Sequence, residues 1–205
     1  MARETTYGAA IPENIRADQA GLTRRTLTRG MAVGALVVTI NGLDIVMTPR
    51  EARAANAPLK TLTPVEAAAL EAVAETILPG AKAAGIVPFV DHHLSVPPGE
   101  CLLAVRLTDG LSAPYAPVYQ KALAAIDQAA QKASGVAFAA LPPDKQVAFV
   151  TAMATGQPQA WVGPPAGGVY RLLRGDALDV VYAVPEGYTT VGVPYMPHVF
   201  PEPKW

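Results

Sequence analysis

Cysteine, charge and long apolar runs are all scarce in this chain. Cys101 is the one cysteine among 205 residues, which excludes an internal disulfide. It also excludes cysteine-based zinc or iron–sulfur sites and a Cys-x-x-Cys-His haem attachment, because each of these needs at least two cysteines. Charged residues make up only 16% of the chain and apolar residues 51%. The chain is therefore too apolar to be disordered, and it lacks the basic excess of a nucleic-acid binder.

The first 54 residues follow the order of an export signal: paired arginines, an apolar stretch, then small residues that a signal peptidase reads. We interpret them as a twin-arginine signal that is cleaved after Ala54, which makes the protein periplasmic. Because that pathway moves folded proteins, we expect folding in the cytoplasm before export. The residues that carry the signal pattern are Arg24, Arg25, Leu27, Ala52 and Ala54.

The alternative for this segment is a retained membrane anchor. Its uninterrupted apolar run, residues 31–40, is ten residues long, and a membrane-spanning helix needs about 20. Asn41 and Asp44 interrupt any extension toward Met47, and a charged side chain at the centre of a bilayer is costly. The pattern therefore favours a signal over an anchor.

Residues 55–205 are mildly acidic, with nine basic and twelve acidic side chains. A net charge of −3 provides no electrostatic attraction to nucleic acid or to an anionic membrane. These 151 residues are enough for one hydrophobic core.

Helical patterns dominate residues 55–184 and predict a mainly α, small helical domain. The clearest start is Thr63-Pro64-Val65-Glu66, which combines a capping residue, a proline in the first turn and the glutamate of a capping box. Strand patterns are scarce in this part of the chain, and we identify no Asn-Gly or Asp-Gly hairpin turn between alternating runs. The predicted helices cover residues 64–78, 87–94, 100–111, 114–133, 143–155 and 169–183, with a connector at 81–85.

Residues 185–205 differ from the rest of the chain, because they contain five prolines, which exclude a helix or a central strand. We predict an extended C-terminal tail. Aromatic residues are common anchors of protein interfaces, so we expect this tail to contact a partner; the alternative is that it wraps over its own core. The predicted interface residues are Tyr188, Tyr195, Phe200 and Trp205.

Few residues are arranged for chemistry. Asp91, His92 and His93 are adjacent, but consecutive helical residues point about 100° apart and do not easily share a metal. We expect a solvated or capping role for them, and a solvated face for Asp176 and Asp179. Residues 163–168 are rich in glycine and proline but lack the Lys-Ser/Thr of a phosphate loop. The sequence therefore predicts no catalytic, cofactor-binding or metal-binding residues.

Several stretches resemble one known family, subunit 3 (the small, gamma subunit) of gluconate 2-dehydrogenase. The similar stretches are Leu62-Thr63-Pro64-Val65-Glu66, Ala74-Glu75-Thr76-Ile77-Leu78-Pro79 and the run from Gly80 to Asp91. Near the C-terminus, Pro185-Glu186-Gly187-Tyr188 and Gly192-Val193-Pro194-Tyr195-Met196 resemble one branch of that family. Many relatives carry Tyr-Gly-Gly-Asn where this chain has Pro185-Glu186-Gly187-Tyr188.

This resemblance implies a non-catalytic subunit that supports the folding, stability and export of a partner. The implied partner is a large FAD-containing dehydrogenase subunit of the glucose–methanol–choline type, which oxidises a sugar, sugar acid or polyol. In such systems electrons often leave through a multi-haem cytochrome c subunit. The FAD is expected in the partner, and no cofactor is expected on this chain. The alternative is an independent periplasmic enzyme or metal-binding protein that uses Asp91, His92 or His93.

Overall fold

The computed structural model describes residues 35–40, 42–156 and 158–192. Within these ranges the protein is mainly helical, as predicted. A two-stranded antiparallel hairpin comes first, with strands β1 (Leu36–Ile40) and β2 (Leu43–Met47). The α-helices that follow are α1 (Pro49–Ala54), α2 (Pro64–Ile77), α3 (Ala81–Ala84), α4 (Ile86–Ser95), α5 (Ala116–Ser134), α6 (Pro143–Ala154), α7 (Ala166–Tyr182) and α8 (Pro185–Thr190).

Helix α2 begins as its sequence predicts. The Thr63 side chain accepts a hydrogen bond from the Glu66 backbone N–H, and the Glu66 carboxylate accepts one from the Thr63 N–H. This reciprocal pair satisfies two amides that the first helical turn leaves without partners. The helix then buries one face, formed by Ala69, Leu70, Val73 and Ala74. It contacts α3, α4, α5, α6 and α7 and so lies at the centre of the helical core.

Helix α5 carries the apolar stripe that its three-four spacing predicts. It ends at Gly135, whose φ of +76° lies in the left-handed region that glycine adopts without steric cost. The buried residues of the stripe are Tyr119, Ala122, Leu123, Ala125, Ile126, Ala129 and Ala130.

The hairpin is a feature that the sequence interpretation missed. Leu36 pairs with Met47 and Val38 with Ile45, and Leu36, Val38 and Met47 are buried in the same core as the helices. Asn41-Gly42 separates the two strands in the sequence, which is the two-residue link most typical of a hairpin. Gly42 has a φ of +79°; residue 41 lies outside the described residues. The hairpin pattern lies within the segment that the sequence analysis interprets as an export signal.

The prediction of a helix over residues 100–111 is wrong. Cys101, Leu103 and Val105 are buried, whereas Leu102 is exposed, so the chain leading into this segment alternates as an extended strand does. Only Ala104–Leu107 forms a short 3-10 helix. The Ala104 N–H donates to the distant carboxylate of Asp176 instead of to a helical carbonyl oxygen.

Two short helices also depart from the predictions. The predicted connector at 81–85 contains α3, which begins and ends at left-handed glycines, Gly80 and Gly85. The predicted extended tail begins with α8 instead. Pro185 occupies the first turn of that helix, where its missing N–H costs nothing, so this proline starts a helix rather than preventing one. Residues 193–205 lie outside the described residues.

Candidate functional site

Asp91 holds the chain that enters α2. Its carboxylate accepts hydrogen bonds from the backbone N–H groups of Lys60 (2.7 Å), Thr61 (2.9 Å) and Leu62 (2.8 Å). The residue is only 3% exposed. Three backbone donors occupy the oxygens of this carboxylate and leave little freedom for proton transfer or metal binding. Asp91 is therefore not solvated, and it fixes the loop that precedes the N-cap Thr63.

The two adjacent histidines have different environments. His92 is half-buried, and burial and the charge of Lys60 lower its pKa. His93 is buried, which contradicts the expected solvated role, and its ring lies edge-on to Phe89 with centroids 4.8 Å apart. Neither ring nitrogen of His93 has a hydrogen-bond partner in the described part of the chain. Burial, helped by neighbouring His92, lowers the pKa of His93 to about 4, so this ring is neutral at pH 7.

These residues do not assemble a metal centre. Within the described ranges, no group of three or more His, Cys, Asp or Glu side chains is placed to hold a metal ion. The Asp91 oxygens are occupied by backbone amides, and the two rings meet at 80° with centroids 5.1 Å apart. The geometry gives the metal-binding alternative no support.

A cleft of about 230 Å³ lies beside His92, between the hairpin, α1, α2 and α4. The charged groups on its wall include Arg53, Lys60 and Glu71. Glu71 is shared between two cations, with Arg53 Nε at 3.5 Å and Lys82 Nζ at 2.7 Å. Lys60 Nζ donates to the backbone oxygen of Val37 at 3.0 Å. Arg53 is paired with Glu71 and Lys60 with a backbone oxygen, which argues against an open site for a charged substrate.

Among the described carboxyl groups, that of Asp176 has the pKa displaced furthest from its ordinary value. The sequence predicted a solvated face for this residue. That prediction is wrong, because Asp176 is fully buried. It accepts hydrogen bonds from the Tyr119 hydroxyl at 2.5 Å and from the Ala104 N–H at 2.8 Å. Burial raises its pKa to about 7 in spite of these two donors. The same burial and the adjacent carboxyl raise the pKa of Tyr119 well above its ordinary value.

One sequence signal could have located Asp176. It falls on the buried stripe of α7, at three-four spacing from Val169, Leu173 and Val180. A carboxyl group within an apolar stripe predicts a buried, hydrogen-bonded acid. Arg171 and Arg174 nearby suggested a solvated face, but both point to the exposed side of α7. The hydrogen bonds of Asp176 join α5, α7 and the first residue of the 3-10 helix, which is a structural role.

The predicted signal and interface residues are described only in part. Ala52 is fully buried in α1 and Ala54 is exposed at its end. Tyr188 is half-buried in α8. Outside the described residues lie Arg24, Arg25 and Leu27 of the predicted signal and Tyr195, Phe200 and Trp205 of the predicted interface. Across the described part of the chain, no helix combines the length and apolarity needed to cross a bilayer.

The described residues thus define a small helical protein whose buried polar groups join its elements rather than form a reaction centre. The chain belongs to the gluconate 2-dehydrogenase subunit 3 family, whose model matches residues 64–201. It is therefore an accessory-type chain of a dehydrogenase complex. No curated protein and no solved structure matches the chain.

Proposed function

We propose that this chain is the non-catalytic small subunit of a periplasmic, FAD-dependent dehydrogenase of the glucose–methanol–choline type. Its partner oxidises a sugar, sugar acid or polyol, and the flavin belongs to that partner. The small subunit supports the folding and stability of the large one and carries the twin-arginine signal for both. The observation that carries the proposal is the family match over residues 64–201, most of the chain.

The buried polar groups support an accessory role. In the described residues, the carboxyl groups of Asp91 and Asp176 are both occupied by donors of the same chain. A general acid or base needs access to a substrate proton, and these two groups hold loops and helices together instead. Cys101 is buried, and burial raises the pKa of its thiol, so it is not an activated nucleophile.

The C-terminal tail supports a binding role. The family match extends to residue 201 and so includes all of the tail except its last four residues. Aromatic side chains on a proline-stiffened segment lose little conformational entropy on docking and contribute large apolar area. We assign the contact with the large subunit to this tail, with an electron-accepting cytochrome c subunit as a further member of the complex.

Co-purification from the native host tests the proposal. The full chain carries a tag placed outside residues 35–192. It is isolated from the periplasmic fraction, and its companions are identified by mass. We expect one large companion, a flavin absorption spectrum and dye-linked oxidation of a sugar or polyol. All three should be lost from the tagged chain when the complex is dissociated. Activity or stoichiometric metal in the isolated chain would instead support an independent enzyme or metal-binding protein.

A further inference from the structure

The hairpin and α1 fall inside the segment that the sequence assigns to a cleaved signal. They nevertheless contribute to the core. Leu36 and Ala52 are fully buried, and Val38 and Met47 are 4% and 8% exposed. All four belong to the same apolar cluster as the buried residues of α2 and α4. Cleavage after Ala54 would remove these four side chains and expose the apolar surface that they cover.

Gly85 is shaped to receive this segment. A Cβ atom at position 85 would lie 2.1 Å from the backbone oxygen of Pro49 and 2.3 Å from its carbonyl carbon. Such distances are far inside van der Waals contact, so only glycine permits this approach of α1. Gly80, at the other end of α3, has a similar left-handed φ but nothing within 4 Å of its Cβ position. Backbone conformation therefore accounts for Gly80, whereas Gly85 also makes room for Pro49.

The same segment also makes polar contacts with the rest of the fold. Lys60 Nζ donates to the Val37 oxygen, and Arg53 of α1 pairs with Glu71 of α2. Helix α1 also has its own capping box, formed by Thr48 and Glu51. Exposed ion pairs contribute little energy, and a six-residue helix is not stable alone. The orientation of α1 therefore depends on its packing against the core.

The predicted cleavage site is protected in this arrangement. The side chain of Ala52 is completely buried, and the Ala55 N–H, on the bond that would be cut, donates to the Glu51 oxygen at 2.9 Å. Proteolysis concentrates where backbone is exposed and free of hydrogen bonds. If export moves the folded protein, which rests on the proposed function, the Ala52 side chain is already buried and the Ala55 N–H already hydrogen-bonded when the peptidase meets this site.

We propose that residues 35–54 are a permanent part of the folded protein, docked on Gly85 through Pro49, and that the chain is not cleaved after Ala54. Any removal of a signal takes place before residue 35. The exported protein therefore keeps the hairpin and α1, which form two of the four walls of the cleft beside His92.

Intact mass of the exported protein tests retention. The full chain, carrying a C-terminal tag, is purified from the periplasm of its host together with its partner. We expect a mass that includes residues 35–54. A mass that begins at Ala55 would overturn the proposal. If all of the chain stays in the cytoplasm, the export proposal fails, and docking is then decided on that cytoplasmic protein by the paired variants below.

Gly85→Ala and Gly80→Ala form a matched pair for docking. Both place alanine in a left-handed conformation, which by itself costs a few degrees of Tm. Only Gly85→Ala also collides with Pro49, so we expect it to lower Tm at least twice as much as Gly80→Ala. Equal losses would contradict docking.

If Gly85→Ala does not fold, hydrogen exchange of the wild-type chain decides the question. We expect the amides paired between β1 and β2 to exchange at least about 100-fold more slowly than free peptide, with protection comparable to that of α4. Exchange at the free-peptide rate in Leu43–Met47 would overturn the proposal.

Discussion

The carboxyl group of Asp176 joins three parts of the fold at one buried point. It accepts from Tyr119 on α5 and from Ala104, which is 72 residues away in sequence. A buried acceptor that loses its donor keeps the full cost of its desolvation. The contribution of each donor to stability can therefore be measured by removing it alone.

We expect Tyr119→Phe to lower the free energy of unfolding by about 1–3 kcal/mol. The substitution keeps the ring in its buried position but leaves Asp176 Oδ2 without the hydroxyl donor. Urea unfolding of the full chain measures the change. Tyr170→Phe is the matched control, because Tyr170 is half-buried on α7 and its hydroxyl makes no hydrogen bond in the described part of the chain. Equal stability of the two variants would contradict the role given to the Tyr119 hydroxyl.

His93 and Asp176 give opposite pH dependences to stability. The pKa of His93 is lowered from 6.5 to about 4, so the unfolded state binds more protons between these values and stability falls as pH falls from 6.5 to 4. The pKa of Asp176 is raised from 3.8 to about 7, so the folded state binds more protons and stability falls as pH rises through that range. Near pH 5 to 6 the two effects oppose each other.

We expect single variants to reveal each slope. In His93→Leu, stability should fall as pH rises from about 4 to about 7, because the opposing effect of His93 is removed and that of Asp176 is kept. In Asp176→Asn, stability should rise from pH 4 to 6.5, by as much as about 3 kcal/mol, which is the equivalent of the His93 displacement. Urea midpoints across this pH range give the measurement. Parallel pH profiles in the two variants would show that these groups are not the source.

At the scale of elements, two glycines of α7 show how closely a neighbouring segment approaches this helix. Gly175 and Gly168 both lie on this helix. A Cβ atom at Gly175 would lie 2.8 Å from the Cβ of Ala104, whereas one at Gly168 would have only Pro165 Cβ at 4.0 Å. The 3-10 helix that carries Ala104 therefore packs directly on α7 at Gly175, next to the Asp176 hydrogen bond.

We expect Gly168→Ala and Gly175→Ala to have opposite signs. Alanine in a helix is favoured over glycine by up to about 1 kcal/mol, so Gly168→Ala should stabilise the protein slightly. Gly175→Ala should destabilise it, because the new methyl group must displace Ala104. Thermal unfolding of both variants decides this. A stabilising Gly175→Ala would mean that the 3-10 helix does not pack on α7 in solution.

Local patterns predicted the longer helices and missed the short ones and the long-range contacts. The capping box at Thr63 and the stripe of α5 lie within a few turns of the chain, and both were identified correctly. The stripe of α7 indicates that Asp176 is buried, but its donor Ala104 lies 72 residues away, and no local pattern reveals that partner. The hairpin was missed for another reason: its alternating strands and Asn-Gly link coincide with an apolar run that also fits an export signal. One stretch of sequence satisfies both patterns.

At the scale of the whole molecule, the proposed export relies on Arg24 and Arg25, which lie outside the described residues. We expect replacement of Arg24 and Arg25 by Lys to leave the fold intact but keep the protein in the cytoplasm, because the receptor reads two guanidinium groups and lysine presents a point charge. If the large subunit depends on this signal, its activity should leave the periplasm as well. Fractionation with an activity assay tests this, and normal periplasmic activity in the double variant would contradict the escort role.

The C-terminal tail is the remaining prediction at this scale, and the structure sharpens the choice of variant. Helix α8 packs on α7, and Gly187 lies where a Cβ atom would be 2.5 Å from Tyr182 Cα. Truncation after Val184 would remove this packed helix, whereas truncation after Gly192 keeps it. The shorter removal takes away Tyr195, Phe200 and Trp205, which are the three predicted anchors beyond the described residues.

We therefore expect the chain that ends at Gly192 to fold like the full chain and to lose its hold on the large subunit. Loss of two buried aromatic anchors could cost on the order of 4 kcal/mol, about a thousandfold in affinity. Circular dichroism beside co-purification makes the measurement, with the chain ending at Val184 as a comparison that also lacks α8. If the tail instead covers its own core, the Gly192 truncation should lose helicity or aggregate. A well-folded truncation that holds the partner at full strength would contradict both roles, and the contact would then have to lie on the helical domain.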